Sequence, residues 1–311
     1  MLGIVINPRS GKKAYRMQRL YLFRLLKKNR QPFAYKVTKY AGHAIELARE
    51  LVEKGCDQIL ILGGDGTLSE VINGIMTAKV SDEDRKKVQF GLMPRGTGND
   101  WARFWKLDKN YKRSLKLFFE GKSQPVDVGE LTYWRNGEEK KRYFINSIGF
   151  GIDPLTCKLA KELQYYLGSH SINYFFALFA GLIKYKAIPV EVLSDGQLIA
   201  KDKMFCVNVA NGPYMGGGMK VNVDADPRDG VFHSLFASKP NFKQALRVIR
   251  NLFNGNLYNI DFIHTFTSKE VVINSTKHMM VELDGINMDF MGSCVIRNIH
   301  HPISMRVPDY C

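Results

Sequence analysis

At 311 residues the chain can bury large cores and is long enough for two domains. Its 45 Lys and Arg residues exceed its 30 Asp and Glu residues, and the net charge of +15 suits an anionic partner such as nucleic acid, a membrane surface or a nucleotide. The lack of an RNA-binding consensus, of zinc-finger spacing and of a basic heptad pattern argues against nucleic acid.

Cysteines and apolar segments indicate the compartment. The five cysteines are odd in number, scattered and never spaced as C-x-x-C, which favours a reducing compartment over a disulfide framework. A predicted strand at Leu2–Ile6 leaves no room for a signal peptide, so we expect none. The most apolar stretch, Tyr174–Ile183, is far shorter than the roughly 20 residues that cross a bilayer. We therefore expect a cytoplasmic protein, at most peripheral to the inner face of the membrane.

The order of predicted elements divides the chain in two. Strands alternate with helices through about residue 128. Beyond that point come mostly short β-rich segments, such as Tyr143–Ile148, Val190–Leu193 and Met204–Val209. The pattern predicts an α/β domain over residues 1–128, followed by a β domain.

The first two predicted strands end in polar residues. Leu2–Ile6 runs into the turn Asn7-Pro8-Arg9-Ser10-Gly11-Lys12. A second extended segment ends at Thr38 and is followed by Gly42-His43-Ala44 at the start of a helix. Turns of this composition are more often only turns than binding sites, so neither segment predicts a function by itself.

The third strand leads into the most informative junction, Gly63-Gly64-Asp65-Gly66-Thr67. It follows the apolar run Gln58–Leu62 and opens a helical stretch at Leu68, so its backbone N–H groups are expected to point at an anion. Thr67 is predicted to be the N-cap, with Glu70 at the capping-box spacing. This junction predicts a phosphate site.

Asp65 does not suit a phosphate site alone, because a carboxylate repels a nucleotide tail unless a metal or its bound waters lie between them. We interpret Asp65 as linked to Mg²⁺ through water. An aspartate that only satisfies the amides of an Asp-Gly turn is the alternative.

A fourth junction, Pro94-Arg95-Gly96-Thr97-Gly98-Asn99-Asp100, follows the predicted strand Val88–Met93. Neither a G-x-G-x-x-G fingerprint nor a G-x-x-x-x-G-K-[ST] loop is present in the chain. In a wound parallel sheet, ligands bind outside the carboxyl ends of the strands, where successive βα turns converge. The four junctions together therefore predict nucleotide binding.

The ordered set of motifs resembles the diacylglycerol kinase catalytic-domain family, which includes bacterial diacylglycerol kinases and sphingosine and ceramide kinases. The Gly63-Gly64-Asp65-Gly66-Thr67 junction alone also resembles NAD kinases and phosphofructokinases, and the Pro94–Asp100 loop and Gly216-Gly217-Gly218 narrow the choice. The remaining matches are Asn7-Pro8 with Ser10-Gly11, Thr38 with Gly42-His43-Ala44, Ala102-Arg103, Asn146 with Gly149 and Gly151, Asp229-Gly230 and Asp284-Gly285.

The resemblance implies a fold and a nucleotide site. ATP would lie between an N-terminal wound α/β lobe, like that of NAD and diacylglycerol kinases, and a C-terminal β-sandwich lobe over residues 129–293 with the lipid-binding surface. Residues 294–311 would return to the first lobe. Asp65 would organise Mg²⁺ and its waters. The residues expected to bind the nucleotide are Asn7, Ser10, Gly11, Thr38, Gly63, Gly64, Gly66, Thr67, Gly96, Thr97 and Asn99.

Asp284 is similar to the family's general base, which takes the proton of the lipid hydroxyl as it attacks the γ-phosphorus. From the residues alone, Leu283-Asp284-Gly285 is equally a hairpin turn. Many relatives follow the Asp-Gly pair with Glu, where this chain has Ile286.

A second, structural Mg²⁺ lies near the Asp229-Gly230 turn in some bacterial relatives. Asp226 and Asp229 are its candidate ligands here, although His233 stands where an acidic residue is common. An Asp-rich turn without a metal is the alternative.

We therefore expect a kinase that uses ATP and Mg²⁺ and phosphorylates a lipid hydroxyl. The alternatives are an NAD or sugar kinase with the same Gly-Gly-Asp-Gly-Thr turn and a nucleotide-binding regulator without catalysis. The expected partners are a lipid substrate and an anionic membrane, with no nucleic acid, and a homodimer is allowed.

A set of aromatic residues forms either a lipid-facing wall or part of the core: Tyr165, Tyr166, Tyr174, Phe175, Phe176 and Phe179.

Overall fold

A computed structural model describes residues 1–11, 15–28, 30–167, 172–252, 255, 257 and 260–309. Their side chains are described except for residues 15, 16, 164, 166, 167, 172, 174, 175, 242, 245, 246, 249 and 250. Among the residues named in the sequence analysis, Lys12 lies outside the described residues. The backbones of Tyr166, Tyr174 and Phe175 are described, but their side chains are not.

The chain folds into two compact units. The first comprises residues 1–126 and 301–311, and the second comprises residues 127–300. None of the helices in the described part of the chain is both long enough and apolar enough to span a bilayer.

Helices and strands alternate in the first unit. Its elements are β1 (Leu2–Ile6), α1 (Tyr15–Lys28), β2 (Phe33–Val37), α2 (His43–Glu53), β3 (Gln58–Gly63), α3 (Asp65–Met76), α4 (Asp82–Lys86), β4 (Gln89–Pro94), α5 (Asp100–Phe104) and α6 (Tyr111–Glu120).

The remaining elements are mostly strands. They are β5 (Lys122–Arg135), β6 (Glu138–Phe144), β7 (Ser147–Gly151), α7 (Ile152–Leu167), α8 (Ile172–Lys184), β8 (Ile188–Ser194), β9 (Gln197–Ala210), β10 (Tyr214–Met215), β11 (Met219–Lys220), β12 (Phe232–Ser238), α9 (Phe242–Asn251), β13 (Ile263–Ser268), β14 (Glu270–Asn274), β15 (His278–Leu283), β16 (Ile286–Met291) and β17 (Cys294–Val307).

In the first unit, β2, β1, β3, β4 and β17 lie side by side in this order as parallel neighbours. β1 is buried at every residue and β3 at all but its first, as expected of strands covered on both faces by helices. The strand order reverses between β1 and β3, and such a switch point opens a crevice at the carboxyl ends of the strands. Asn7 and Gly64 are the first residues beyond those two ends.

Helices α2 and α3 pack closely at Gly74. A Cβ atom at Gly74 would lie 2.4 Å from the Ile45 carbonyl oxygen and 2.7 Å from the Ala48 Cβ. Only glycine allows this approach, which brings α3 against α2.

The second unit is an antiparallel sandwich organised by β9. The first half of β9 pairs with β8, and its second half pairs with both β7 and β12. The core is built on Phe144, Phe150, Phe232 and Phe236, all at most 1% exposed. The α/β domain followed by a β-sandwich is thus confirmed.

Several local predictions are wrong. β5 and β9 run for 14 residues each, and the predicted strand Tyr143–Ile148 is interrupted between β6 and β7. Helices α7, α8 and α9 were not predicted. The α8 sequence is apolar over most of its length, so it lacks the polar stripe that would have indicated a helix.

We expect Gly74→Ala to lower the free energy of unfolding by about 1–3 kcal/mol, because the added methyl group overpacks the α2–α3 contact. Chemical denaturation measures the loss. Gly66→Ala, the same change in the same helix, is the matched control, since a Cβ at Gly66 meets no atom within 4 Å. Equal stability of the two variants would contradict the close approach.

Candidate functional site

Glycine-rich junctions of the first unit meet at the switch point. The Arg95 N–H donates to the Gly63 carbonyl oxygen (2.8 Å), and the Arg95 Nε donates to the Ser10 carbonyl oxygen (3.1 Å). The Asn7 Nδ2 donates to the Thr67 Oγ1 (2.9 Å), and the Ser10 Oγ lies 3.5 Å from that oxygen. The structure thus brings the junctions after β1, β3 and β4 together.

The glycines of the junction after β3 have different roles. A Cβ at Gly63 would lie 2.4 Å from the Thr67 Cβ, and one at Gly64 would lie 2.7 Å from the Gly96 Cα. Packing within the protein therefore accounts for both. Gly66 has no such neighbour, so the fold does not require glycine there, whereas a ligand approaching the main chain would.

Helix α3 begins earlier than the sequence predicted. Its first residue is Asp65, its N-cap is Gly64, and the Gly64 carbonyl oxygen accepts from the N–H groups of Thr67 and Leu68. The predicted capping box is therefore wrong. The Glu70 carboxylate instead accepts from the N–H groups of Gly42 (2.8 Å) and Ala44 (3.2 Å), which ties the start of α2 to α3.

Asp65 holds the start of the short helix α5. Its Oδ2 accepts from the Asp100 N–H (3.3 Å), and its Oδ1 accepts from the Trp101 N–H (3.4 Å). Burial raises the pKa of the Asp65 carboxyl, and hydrogen bonds from the N–H groups of residues 99–101 oppose that shift. These contacts account for the position of Asp65 without a metal, so its magnesium role stays a prediction.

The other nucleotide candidates also lie at the ends of strands. The Thr38 N–H donates to the Ile6 carbonyl oxygen (2.9 Å), which places Thr38 beside the first junction. Asn99 adopts a left-handed conformation (φ 49°), and its side chain closes the loop on Gly96 through hydrogen bonds of 2.9 and 2.6 Å. Thr97 is exposed at the tip of that loop. Gly11 also lies against it, since a Cβ there would be 2.6 Å from the Arg95 carbonyl oxygen.

In the second unit, Asp284 and Gly285 form the turn between β15 and β16, with φ angles of 47° and 84°. The Asp284 carboxylate accepts backbone N–H groups from Ile145 (2.9 Å), Asn146 (2.9 Å) and Ser147 (3.1 Å). These contacts explain the break between β6 and β7. Asp284 is thus both a turn residue and an anchored carboxylate, 7% exposed.

Two buried acids near this turn were missed in the sequence. Burial raises the pKa of Glu282 to about 8 and that of Asp153, at the start of α7, to about 6. The available signal was a carboxylate within an apolar run, as in Val281-Glu282-Leu283 and Ile152-Asp153-Pro154.

The candidate ligands of the second metal have protein partners. The Asp226 carboxylate accepts from the Arg228 guanidinium (2.6 and 2.7 Å), and the Asp229 Oδ2 lies 2.9 Å from the His233 Nε2. Asp127 is fully buried and accepts from the Gly230 N–H (2.8 Å). It was not among the residues predicted from the sequence. The turn is therefore held by protein groups, and a metal there stays a prediction.

Comparison with known families covers nearly the whole chain. Residues 1–131 match the family described as Diacylglycerol kinase catalytic domain. Residues 146–306 match the YegS C-terminal NAD kinase beta sandwich-like domain. The chain belongs to the diacylglycerol kinase catalytic-domain family.

Individual members of the family are distant in sequence. The chain is 27% identical over 285 residues to the diacylglycerol kinase of Bacillus subtilis, covering 91% of this chain and 88% of that one. It is also 27% identical to the diacylglycerol kinase of Staphylococcus carnosus, covering 91% and 87%. A solved structure described as a diacylglycerol kinase from Bacillus anthracis shares the fold, with a TM-score of 0.71 and 21% identity over 99% and 97% of the two chains.

Gly66→Ala also tests the site directly. If a phosphate approaches the main chain at Gly66, the methyl group should raise the KM for ATP about tenfold, equivalent to about 1.4 kcal/mol of binding. Steady-state kinetics with ATP varied measures this effect, and thermal denaturation should show no loss of Tm, because alanine is favourable at an open helical position. An unaltered KM would place the phosphates elsewhere.

Proposed function

We propose that the protein is an ATP- and Mg²⁺-dependent kinase that phosphorylates the hydroxyl group of diacylglycerol or a related lipid. The observation that carries the proposal is the convergence of three junctions at the switch point of the parallel sheet, in a chain of the diacylglycerol kinase catalytic-domain family. The lipid acceptor has separate support in the second unit.

The first unit would bind the triphosphate. Helix α3 begins at Asp65, directly after the Gly63-Gly64 turn, so the positive end of its dipole lies at the junctions. The Asn7 amide and the Ser10 hydroxyl group both meet the Thr67 hydroxyl group in the first turn of this helix. Phosphoryl transfer depends mainly on positioning and charge neutralisation, which these groups would supply.

The half-buried Asp65 carboxylate suits a water-linked Mg²⁺. Mg²⁺ prefers oxygen ligands. The hydrogen bonds that the Asp65 carboxylate accepts are long, at 3.3 and 3.4 Å. A nearby divalent cation would favour the ionised form of a carboxyl whose pKa burial raises. When bound, the ion would neutralise charge on the transferred phosphoryl group.

Asp284 would act as the general base toward the lipid hydroxyl. Its three backbone contacts hold the carboxylate in one orientation, which general-base catalysis requires. The rotamer is therefore set before a substrate binds.

An apolar cavity in the second unit supports a lipid acceptor. Its empty volume, which includes space open to solvent, is about 690 Å³, and its walls include Leu178 and Leu182 of α8 with Phe205 and Leu235 of the sandwich. Asp153 also lines the cavity. A space with apolar walls and one carboxyl group suits an acyl chain that carries a hydroxylated head.

Helix α8 forms one wall of this cavity. Leu178 and Leu182 line the cavity, while Phe176, Phe179 and Ile183 are 53%, 39% and 74% exposed. Exposed apolar side chains on one helix are typical of a surface that meets another apolar phase. Because the chain is strongly basic, we propose that α8 contacts an anionic membrane.

Purified protein incubated with ATP, Mg²⁺ and neutral lipids in mixed micelles should form a phospholipid. Turnover of NAD or a sugar without detergent, and of no lipid, would support the rival kinases instead. ATP binding without transfer to any acceptor would support a regulator, the alternative that Ile286 suggests.

Asp284→Asn should lower kcat by about 100-fold with the KM for ATP nearly unchanged, because the amide is a poor base. It should also lower stability by about 1–3 kcal/mol, since the amide NH₂ faces backbone donors. Kinetics must therefore be measured below the Tm of the variant. Parental kcat would exclude Asp284 as the base.

Replacement of Phe176, Phe179 and Ile183 by Ser should weaken binding to phosphatidylglycerol vesicles at least about tenfold, because each loses apolar area that the bilayer would cover. Cosedimentation with vesicles measures binding without any turnover. Leu198→Ser, at a residue 59% exposed on β9, is the control. Equal binding of the triple variant and the parent would remove α8 from the membrane contact.

A further inference from the structure

The main chain of Gly285, next to Asp284, is held through both its N–H and its carbonyl oxygen. A Glu282 carboxyl oxygen accepts the Gly285 N–H. On the other side, the Gly285 carbonyl oxygen accepts from the Lys161 Nζ (2.7 Å) and the Cys157 Sγ (3.3 Å). Both of these donors belong to α7.

These hydrogen bonds hold a turn whose backbone conformation is unfavourable. Asp284 is a non-glycine residue in the left-handed region, which side chains with a Cβ rarely adopt. Its conformation persists because neighbouring contacts fix it. Glu282 makes one of these contacts from within the same hairpin, whereas Ile286, after the turn, offers no acceptor in its side chain.

Glu282 is an unusual residue for that position. It is 5% exposed, and its second carboxyl oxygen, Oε2, is buried without a hydrogen-bond partner. A buried, unpaired anion would be very costly, so the neutral acid is the form that this site accommodates.

The surroundings oppose ionisation of Glu282. Burial is the largest cause of its raised pKa of about 8, and the charges of Asp153 and Asp284 add to it. The Gly285 N–H and the Lys161 charge act in the opposite direction. The titratable and charged groups facing Glu282 are Asp153, Cys157 and Lys161 from α7, Cys206 from β9 and Asp284 from the turn.

We propose that Glu282 is a positioning residue for Asp284, and that its neutral carboxyl group, acting through the Gly285 peptide, keeps the base in its productive orientation. The proposal rests on the proposed function, in which Asp284 is the base. Ionisation of Glu282 would place a further negative charge beside Asp153 and Asp284, and the turn would open to hydrate it. The kcat should then fall as the pH rises through about 8.

Stability should follow the same titration. The pKa of Glu282 is higher in the folded protein than in the unfolded chain, so the folded state binds more protons between about pH 4.5 and 8. Its contribution to stability is fully present below that window and is lost as the pH rises to 8. Glu282→Gln cannot ionise, yet it keeps an oxygen that can accept the Gly285 N–H.

The experiment measures kcat, the KM for ATP and the Tm from pH 6 to pH 10 for the parent, Glu282→Gln and Glu282→Leu. Glu282→Gln should keep kcat within about twofold at pH 7 and lose the alkaline fall. Glu282→Leu should lower kcat about tenfold at every pH with the KM for ATP unchanged. Glu130→Gln, another buried glutamate (8% exposed) but paired with Lys141, should keep the parental profile.

Lys161→Met provides a second variant that does not depend on the folding of Glu282→Leu. Because the Lys161 charge favours ionised Glu282, its removal should move the alkaline fall of kcat to higher pH. An unmoved fall in Lys161→Met, or the parental fall in Glu282→Gln, would overturn the proposal.

Lack of parental turnover on any acceptor would instead contradict the proposed function. In that case the Tm profiles still test whether Glu282 titrates as assigned. The parental Tm should decline from pH 6 to pH 9 more steeply than that of Glu282→Gln, and identical declines would overturn the assigned titration.

Discussion

The close approach of the junction after β3 to the junction after β4 is the constraint on which the candidate site depends. No Cβ fits at Gly64, because it would lie 2.7 Å from the Gly96 Cα. The Arg95 N–H also donates to the Gly63 carbonyl oxygen, which links the two junctions directly. β3 and β4 are neighbours in the parallel sheet, so their following turns must share this space. The arrangement leaves α3 with its N-terminus directed at polar side chains of the first junction, as an anion site requires.

Side-chain oxygens at both candidate sites bind main-chain N–H groups. Asp65 holds the start of α5, Glu70 the start of α2, and Asp284 the link between β6 and β7. Each of these residues therefore has a structural role that exists without substrate. A loss of activity on mutation has two possible origins at such positions, and only a stability measurement on the same variant separates them.

Local patterns in the sequence predict the parts of the fold that depend on local chemistry. The apolar runs predict β1, β3 and β4. The start of α3 was misplaced because Glu70 binds α2, a contact 26 to 28 residues away. Glu282 could not be linked to α7 from sequence, since Lys161 and Gly285 are 124 residues apart and only the folded sandwich brings them together.

We propose that one phosphate chain occupies the point where the junctions after β1, β3 and β4 meet. A titration of isotope-labelled protein with ATP, followed by the backbone amide resonances of Gly11, Gly66 and Gly96, tests it most directly. The account predicts that all three amides shift along one saturable curve with a common Kd. Shifts confined to other amides, or separate curves for the three junctions, would contradict it.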